Sequence, residues 1–183
     1  MVQATPNIAV KPQPMTPELL AEGREYSREI LIGLNASVSH FHAVEYCKNV
    51  LASNGFTELK ESEAWSHLEW GKGYYFTRNH STICSFLSGK NTANAELQSF
   101  KIVGCHTDSP VLKIAPCSKL EKLGCHQINV MTYGGGLWRT WFDRDLSLAG
   151  KVIVKDGNQL VAKYWNAVRP LMKVPSLAIH LDR

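Results

Sequence analysis

The sequence predicts an α/β domain that gives way to a β-rich region, and three observations carry that expectation. Apolar residues recur at helical spacing between residues 16 and 54. Short strand-like runs separated by turn residues follow up to His106. Beyond Pro110 the runs are all of β type and no helical pattern returns.

Each element has a local cause. Residues 1–15 hold three prolines and read as a flexible tail. Thr16-Pro17-Glu18 supplies a cap, a proline in the first turn and an early acid, the signature of a helix start. Leu19, Tyr26 and Ile30 then recur until Gly33 and Asn35. A second helix is predicted after Ser39, with Val44, Cys47 and Leu51 on one face and an end at Asn54-Gly55. Runs 74–77 and 82–87 flank the turn residues Asn79-His80 and predict two strands. A polar loop over 89–96 leads to a further predicted strand, Phe100-Lys101-Ile102-Val103, which delivers His106. Residues 16–110 are therefore read as one domain, two helices on a mixed sheet. Residues 111–183 are read as a second, with strands near 127–132, 151–155 and 160–164 and a hairpin at Asp156-Gly157.

Composition narrows the function classes. Hydrophobic residues make up 44% and charged residues 20%, the range of a folded globular chain. The formal net charge of +4 is scattered, so neither a nucleic acid nor a membrane surface is expected as a partner. No apolar run approaches the ~20 residues that cross a bilayer, and the first residues lack the apolar stretch of a signal peptide. Five cysteines at irregular spacing, with no Cys-x-x-Cys pair, predict free thiols in a reducing, cytoplasmic compartment.

The motif that carries chemistry is His106-Thr107-Asp108. On a strand, residues two apart face the same side, which brings the carboxylate to the imidazole. A ligating His commonly gives its second ring N–H to a carboxylate or carbonyl, so the pair suits a metal site. Ser109 lies too close in sequence to complete a nucleophilic triad, and Cys105 faces away from His106 on a strand. Gly134-Gly135-Gly136 lacks the following Lys of a phosphate loop and is read as a tight bend where another group approaches closely. Cys125-His126 is read as an ordinary pair, and Trp138, Trp141 and Phe142 as packing residues. Asp143-Arg144-Asp145 is read as an ion-pair cluster. His180 stands alone in an apolar stretch, which by itself favours a structural histidine.

Taken in order, these motifs have a family likeness. Val103-Gly104-Cys105-His106-Thr107-Asp108-Ser109-Pro110 is followed by Thr132-Tyr133-Gly134-Gly135-Gly136-Leu137-Trp138 and by Thr140-Trp141-Phe142-Asp143-Arg144-Asp145-Leu146-Ser147-Leu148-Ala149-Gly150. Pro175-Ser176-Leu177-Ala178-Ile179-His180-Leu181 closes the series, and Tyr75-Phe76-Thr77-Arg78-Asn79 precedes it. The chain resembles the aspartyl aminopeptidases, cytosolic zinc exopeptidases that remove acidic residues from peptide N-termini. Near residue 40 it departs from them, with Val38 and His40 where the family tends to carry proline.

The resemblance implies the start of a zinc-exopeptidase catalytic sheet, followed by a β-rich dimerisation insert over 111–183. It implies two divalent ions, zinc at least at one position, with His106 as a metal ligand and Asp108 as the catalytic-site carboxylate that orients its ring. His180 would reach the substrate site of a neighbouring subunit in a homo-oligomer. Family members are more than twice as long as these 183 residues, so the remaining ligands and a glutamate general base are expected outside the chain. The chain alone is expected to be inactive. A truncated assembly subunit, or a zinc exopeptidase with another side-chain preference, are the alternatives. The basic group that would recognise an acidic side chain stays open among Lys101, Lys113, Arg139 and Arg144.

Overall fold

The computed structural model describes residues 14–89, 100–122, 124–176 and 180. Residues 1–13 of the predicted tail and the predicted loop beyond Gly89 lie outside the described residues. The chain forms two units, Met1–Asn35 and Ala36–Arg183.

The first unit is built on helix α1 (Pro17–Ala36). Its start is the predicted one: Thr16 Oγ1 accepts from the Leu19 amide at 3.2 Å, and Glu18 lies in the first turn beside the helix dipole. Leu19, Tyr26 and Ile30 are exposed.

In the second unit, Ser39 caps helix α2 (His40–Ser53), its side chain accepting from the His42 amide at 3.4 Å. The helix ends where Gly55 takes φ +79°, a left-handed conformation open to glycine without a Cβ clash. Three short strands follow: β1 (Thr57–Glu58), β2 (Gly73–Arg78) and β3 (Thr82–Leu87). β1 runs parallel to β2, and β2 antiparallel to β3. The predicted turn at Asn79-His80 is present, with φ of 51° and 55° at its two residues. Helix α2 packs on this sheet, and Ala43, Val44, Leu59, Tyr74 and Tyr75 form the buried core. Trp65 extends it, with ring centroids 5.3 Å from Phe76 and 6.3 Å from Phe86.

The predicted strand that delivers His106 is not formed. Residues 100–110 run as irregular backbone, and Phe100, Ile102 and Val103 are 74%, 88% and 94% exposed. Apolar, β-branched side chains favour a strand only where a neighbour completes the hydrogen-bond ladder. Among the described residues no strand pairs with this segment.

From Val111 the chain is β-rich, as the sequence predicts. β4 (Val111–Lys122) pairs antiparallel with β5 (Cys125–Tyr133), and the register shifts between Ile114 and Lys119. Pro116 lies inside that shift, where a missing N–H does least harm to the ladder. A 3-10 turn, Trp138–Trp141, leads to β6 (Asp145–Leu146) and then to the hairpin of β7 (Ala149–Asp156) and β8 (Gln159–Asn166). The hairpin loop is Gly157-Asn158 rather than Asp156-Gly157, because Asp156 pairs with Gln159. β9 (Met172–Lys173) closes on β6. The glycine run bends as expected: a Cβ on Gly134 would lie 3.4 Å from the Pro110 side chain, and one on Gly136 3.0 Å from the Trp138 ring. Asp143 does not join an ion-pair cluster among the described residues. Its Oδ1 accepts instead from the Ser176 amide at 3.1 Å.

Candidate functional site

His106 and Asp108 stand on the irregular segment just ahead of β4, and a bend at Asp108 turns the chain back on itself. The His106 Nδ1 lies 2.7 Å from the Asp108 carbonyl oxygen and 3.1 Å from the Asp108 Oδ1. A carbonyl oxygen can only accept, so Nδ1 carries the hydrogen and Nε2 keeps its lone pair. The pairing foreseen from strand alternation is thus reached through a bend instead. His106 is 76% exposed at its side chain while Asp108 is 13% exposed. A ring held at one nitrogen by a shielded group, with the other nitrogen outward, is the arrangement of a metal-binding imidazole and its supporting carboxylate.

Tyr133 pairs with Val111 across the β4–β5 ladder, on the partner strand. The Asp108 charge pushes its phenol above the ordinary pKa. Lys113, two residues along β4, places its Nζ 3.5 Å from the Tyr133 ring centroid.

Behind Asp108 opens a cavity of about 620 Å³. Its walls come from the turn before α2, the first residues of β4 and β7, Trp141 and Trp165. Apolar side chains dominate the lining, and its charged residues are Asp108, Lys113 and Lys151. Lys151 holds its Nζ 4.6 Å from the Phe41 ring centroid. His40 shares the cavity, and its pKa is lowered first by burial and then by Lys113 and Lys151, against the opposing pull of Asp108.

The structure therefore brings His106 and Asp108 together. His180 lies in an exposed turn residue, and among the described residues no hydrogen bond or ion pair links it to either. No group of three or more His, Cys, Asp or Glu side chains able to hold a metal occurs among the described residues. The donor set fits one ligand position of a zinc site and does not complete one. Sequence reasoning gave no site role to Tyr133, His40 or Lys151, and offered Lys113 only as one of four equivalent bases. No local motif assigns them to the site, since β4–β5 pairing and the α2–β7 contact create their proximity.

Comparison with known proteins adds a second line. The profile of the aminopeptidase I zinc metalloprotease (M18) family matches residues 33–183. A probable aspartyl aminopeptidase of Ricinus communis is 45% identical over 166 residues, covering 88% of this chain and 33% of that protein. An aspartyl aminopeptidase of Dictyostelium discoideum is 45% identical over 158 residues, covering 86% of this chain and 32% of its own length. Among solved structures, the cryo-EM structure of the Ape4 and Nbr1 complex superposes with a TM-score of 0.83 at 39% identity, over 93% of this chain and 32% of that one. The chain spans about a third of the length of the curated relatives it matches.

Proposed function

This chain belongs to the aminopeptidase I zinc metalloprotease (M18) family, and we propose that it builds part of an enzyme that removes Asp or Glu from peptide N-termini. The observation that carries the reading is the His106 ring, fixed at Nδ1 by Asp108 with Nε2 left as a donor. The names of the similar proteins, aspartyl aminopeptidases in both cases, supply the substrate class.

In this reading His106 holds zinc through Nε2. Zinc, when bound, supplies a Lewis acid and lowers the pKa of a water to make a nucleophile near neutral pH. Asp108 keeps the imidazole in one tautomer and one orientation, and raises its basicity through the Nδ1–H bond. His180 of a neighbouring subunit binds substrate and stabilises charge that develops on the scissile carbonyl oxygen. Assembly runs through the β-rich residues 111–183, and the exposed apolar side chains of Ile128 and Val130, on one face of β5, support that face as a contact. The compartment in this reading is the cytoplasm, which the five free cysteines support as a reducing environment.

The test is a panel of aminoacyl reporter substrates presented to the full-length, zinc-loaded enzyme. Asp and Glu derivatives should turn over far faster than Leu or Ala ones. Equal or better turnover of Leu would assign the family's chemistry to a neutral side chain instead.

A further inference from the structure

Cys47 on α2 and Cys105 beside His106 are both free thiols, the first half-buried and the second exposed. The cavity lining sets the first residues of α2, His40 among them, against Asp108 and Ser109. Cys47 stands seven residues further along α2. That is close to two turns and about 10 Å of helix rise, so Cys47 shares a face with His40. Cys105 stands three residues ahead of Asp108, a stretch of chain that reaches at most about 10 Å. The two spans match when residues 105–108 run back alongside the helix. The surroundings of Cys47 agree with that path. Burial pushes its thiol up, and the charge of Cys105 pushes it further, an influence that a like charge exerts from close by.

The other three thiols have different neighbours. Cys84 is exposed on β3, where its charge acts on Arg78. Cys117 lies in the register shift of β4, and Cys125 pairs with Lys122 at the end of the ladder away from Val111. Residues 100–110 are irregular backbone, and among the described residues no ladder holds Cys105 away from the helix.

We propose that Cys47 and Cys105 close a reversible disulfide when hydrogen peroxide is present, and that this link is a redox switch on the His106 site. The exposed Cys105 sulfur, as thiolate, attacks one peroxide oxygen. The O–O bond breaks, hydroxide leaves and takes up a proton as water, and Cys105 becomes a sulfenic acid. The Cys47 sulfur then attacks the Cys105 sulfur, the S–O bond breaks, and the hydroxyl leaves as water with the Cys47 thiol proton. Two thiols give up two electrons, and one peroxide is reduced to two waters. A dithiol reopens the link by exchange. A disulfide sets its two Cα atoms about 5.5–6 Å apart, so closing it draws Cys105 onto α2. His106 follows as the next residue, and its Nδ1 leaves the Asp108 oxygens that hold it at 2.7 and 3.1 Å. The effect on turnover rests on the aminopeptidase reading above, whereas the link itself does not.

The test treats the full-length, zinc-loaded enzyme and its Cys47→Ala and Cys105→Ser variants with hydrogen peroxide and then with dithiothreitol. Tryptic peptides 29–48 and 102–113 each hold one of the two cysteines and no other, so mass spectrometry of the non-reduced digest reads the link directly. In the wild type the joined peptide should appear as hydrolysis of an Asp reporter falls by about 10-fold or more. Both changes should reverse on reduction. Each variant should keep its basal activity through the treatment and form no such peptide. A joined peptide with Cys84, Cys117 or Cys125 in place of this pair, a link without loss of turnover, or an equal loss in the variants each overturns the switch. The peptide map needs no substrate, so a wild-type enzyme without acidic preference counts against the aminopeptidase reading alone.

Discussion

His106 and Asp108 make different demands on the site, and single substitutions separate them. His106 offers Nε2 as a ligand atom, whereas Asp108 works through the imidazole it holds at 2.7 and 3.1 Å. In the full-length enzyme His106→Ala should abolish turnover and lower the zinc bound per subunit. Asp108→Asn should lose about 10- to 100-fold while keeping more of the metal, because it removes a supporting group and not a donor. Parallel kinetics and elemental analysis check the pair, and full activity with unchanged zinc in His106→Ala would remove the residue from the site. This part of the site was legible because it is local: two residues apart, His106 and Asp108 meet whether the backbone is a strand or, as here, a bend. Tyr133 and Lys113 were not legible. Their closeness to Asp108 arises from the antiparallel pairing of Val111 with Tyr133, a register no short motif encodes.

Elements were legible where their ends carry chemistry. Thr16 and Ser39 mark helix starts, Gly55 a helix stop, and Asn79-His80 a turn, each through an interaction within a few residues. β4 was obscured by Pro116, which the strand tolerates only because its register shifts there. The run 100–103 fails in the opposite sense: its residues suit a strand, yet a strand exists only beside another. Packing between elements can be tested at Gly73, the first residue of β2. A Cβ there would lie 2.6 Å from the Phe56 ring, so the ring must move out of the helix–sheet junction. Gly73→Ala should destabilise by about 1–3 kcal/mol, the usual cost of overpacking. Gly23→Ala in α1 meets nothing within 4 Å and should be neutral or stabilising by up to ~1 kcal/mol through helix propensity. Denaturant unfolding of both variants checks the contrast, and an unchanged midpoint in Gly73→Ala would show that the junction is loose.

At the scale of the whole chain, burial and ligand count point the same way. Only Ala43, Val44, Leu59, Tyr74 and Tyr75 form the buried apolar core among the described residues. Phe100, Ile102, Val103 and Leu137 stand more than 70% exposed. Apolar area on that scale calls for cover, whether from further polypeptide or from other copies of the chain. The 183 residues purified alone should therefore self-associate, which light scattering reads directly. They should also fail to hydrolyse an N-terminal Asp substrate with zinc or cobalt supplied. A catalytic zinc commonly takes three protein ligands, and His106 provides a single donor, while no further cluster stands among the described residues. Chelator-sensitive turnover by the isolated chain would reverse that reckoning. It would require a complete site within these residues, with Asp143, Asp145 and His180 the first side chains to substitute in the search for its ligands.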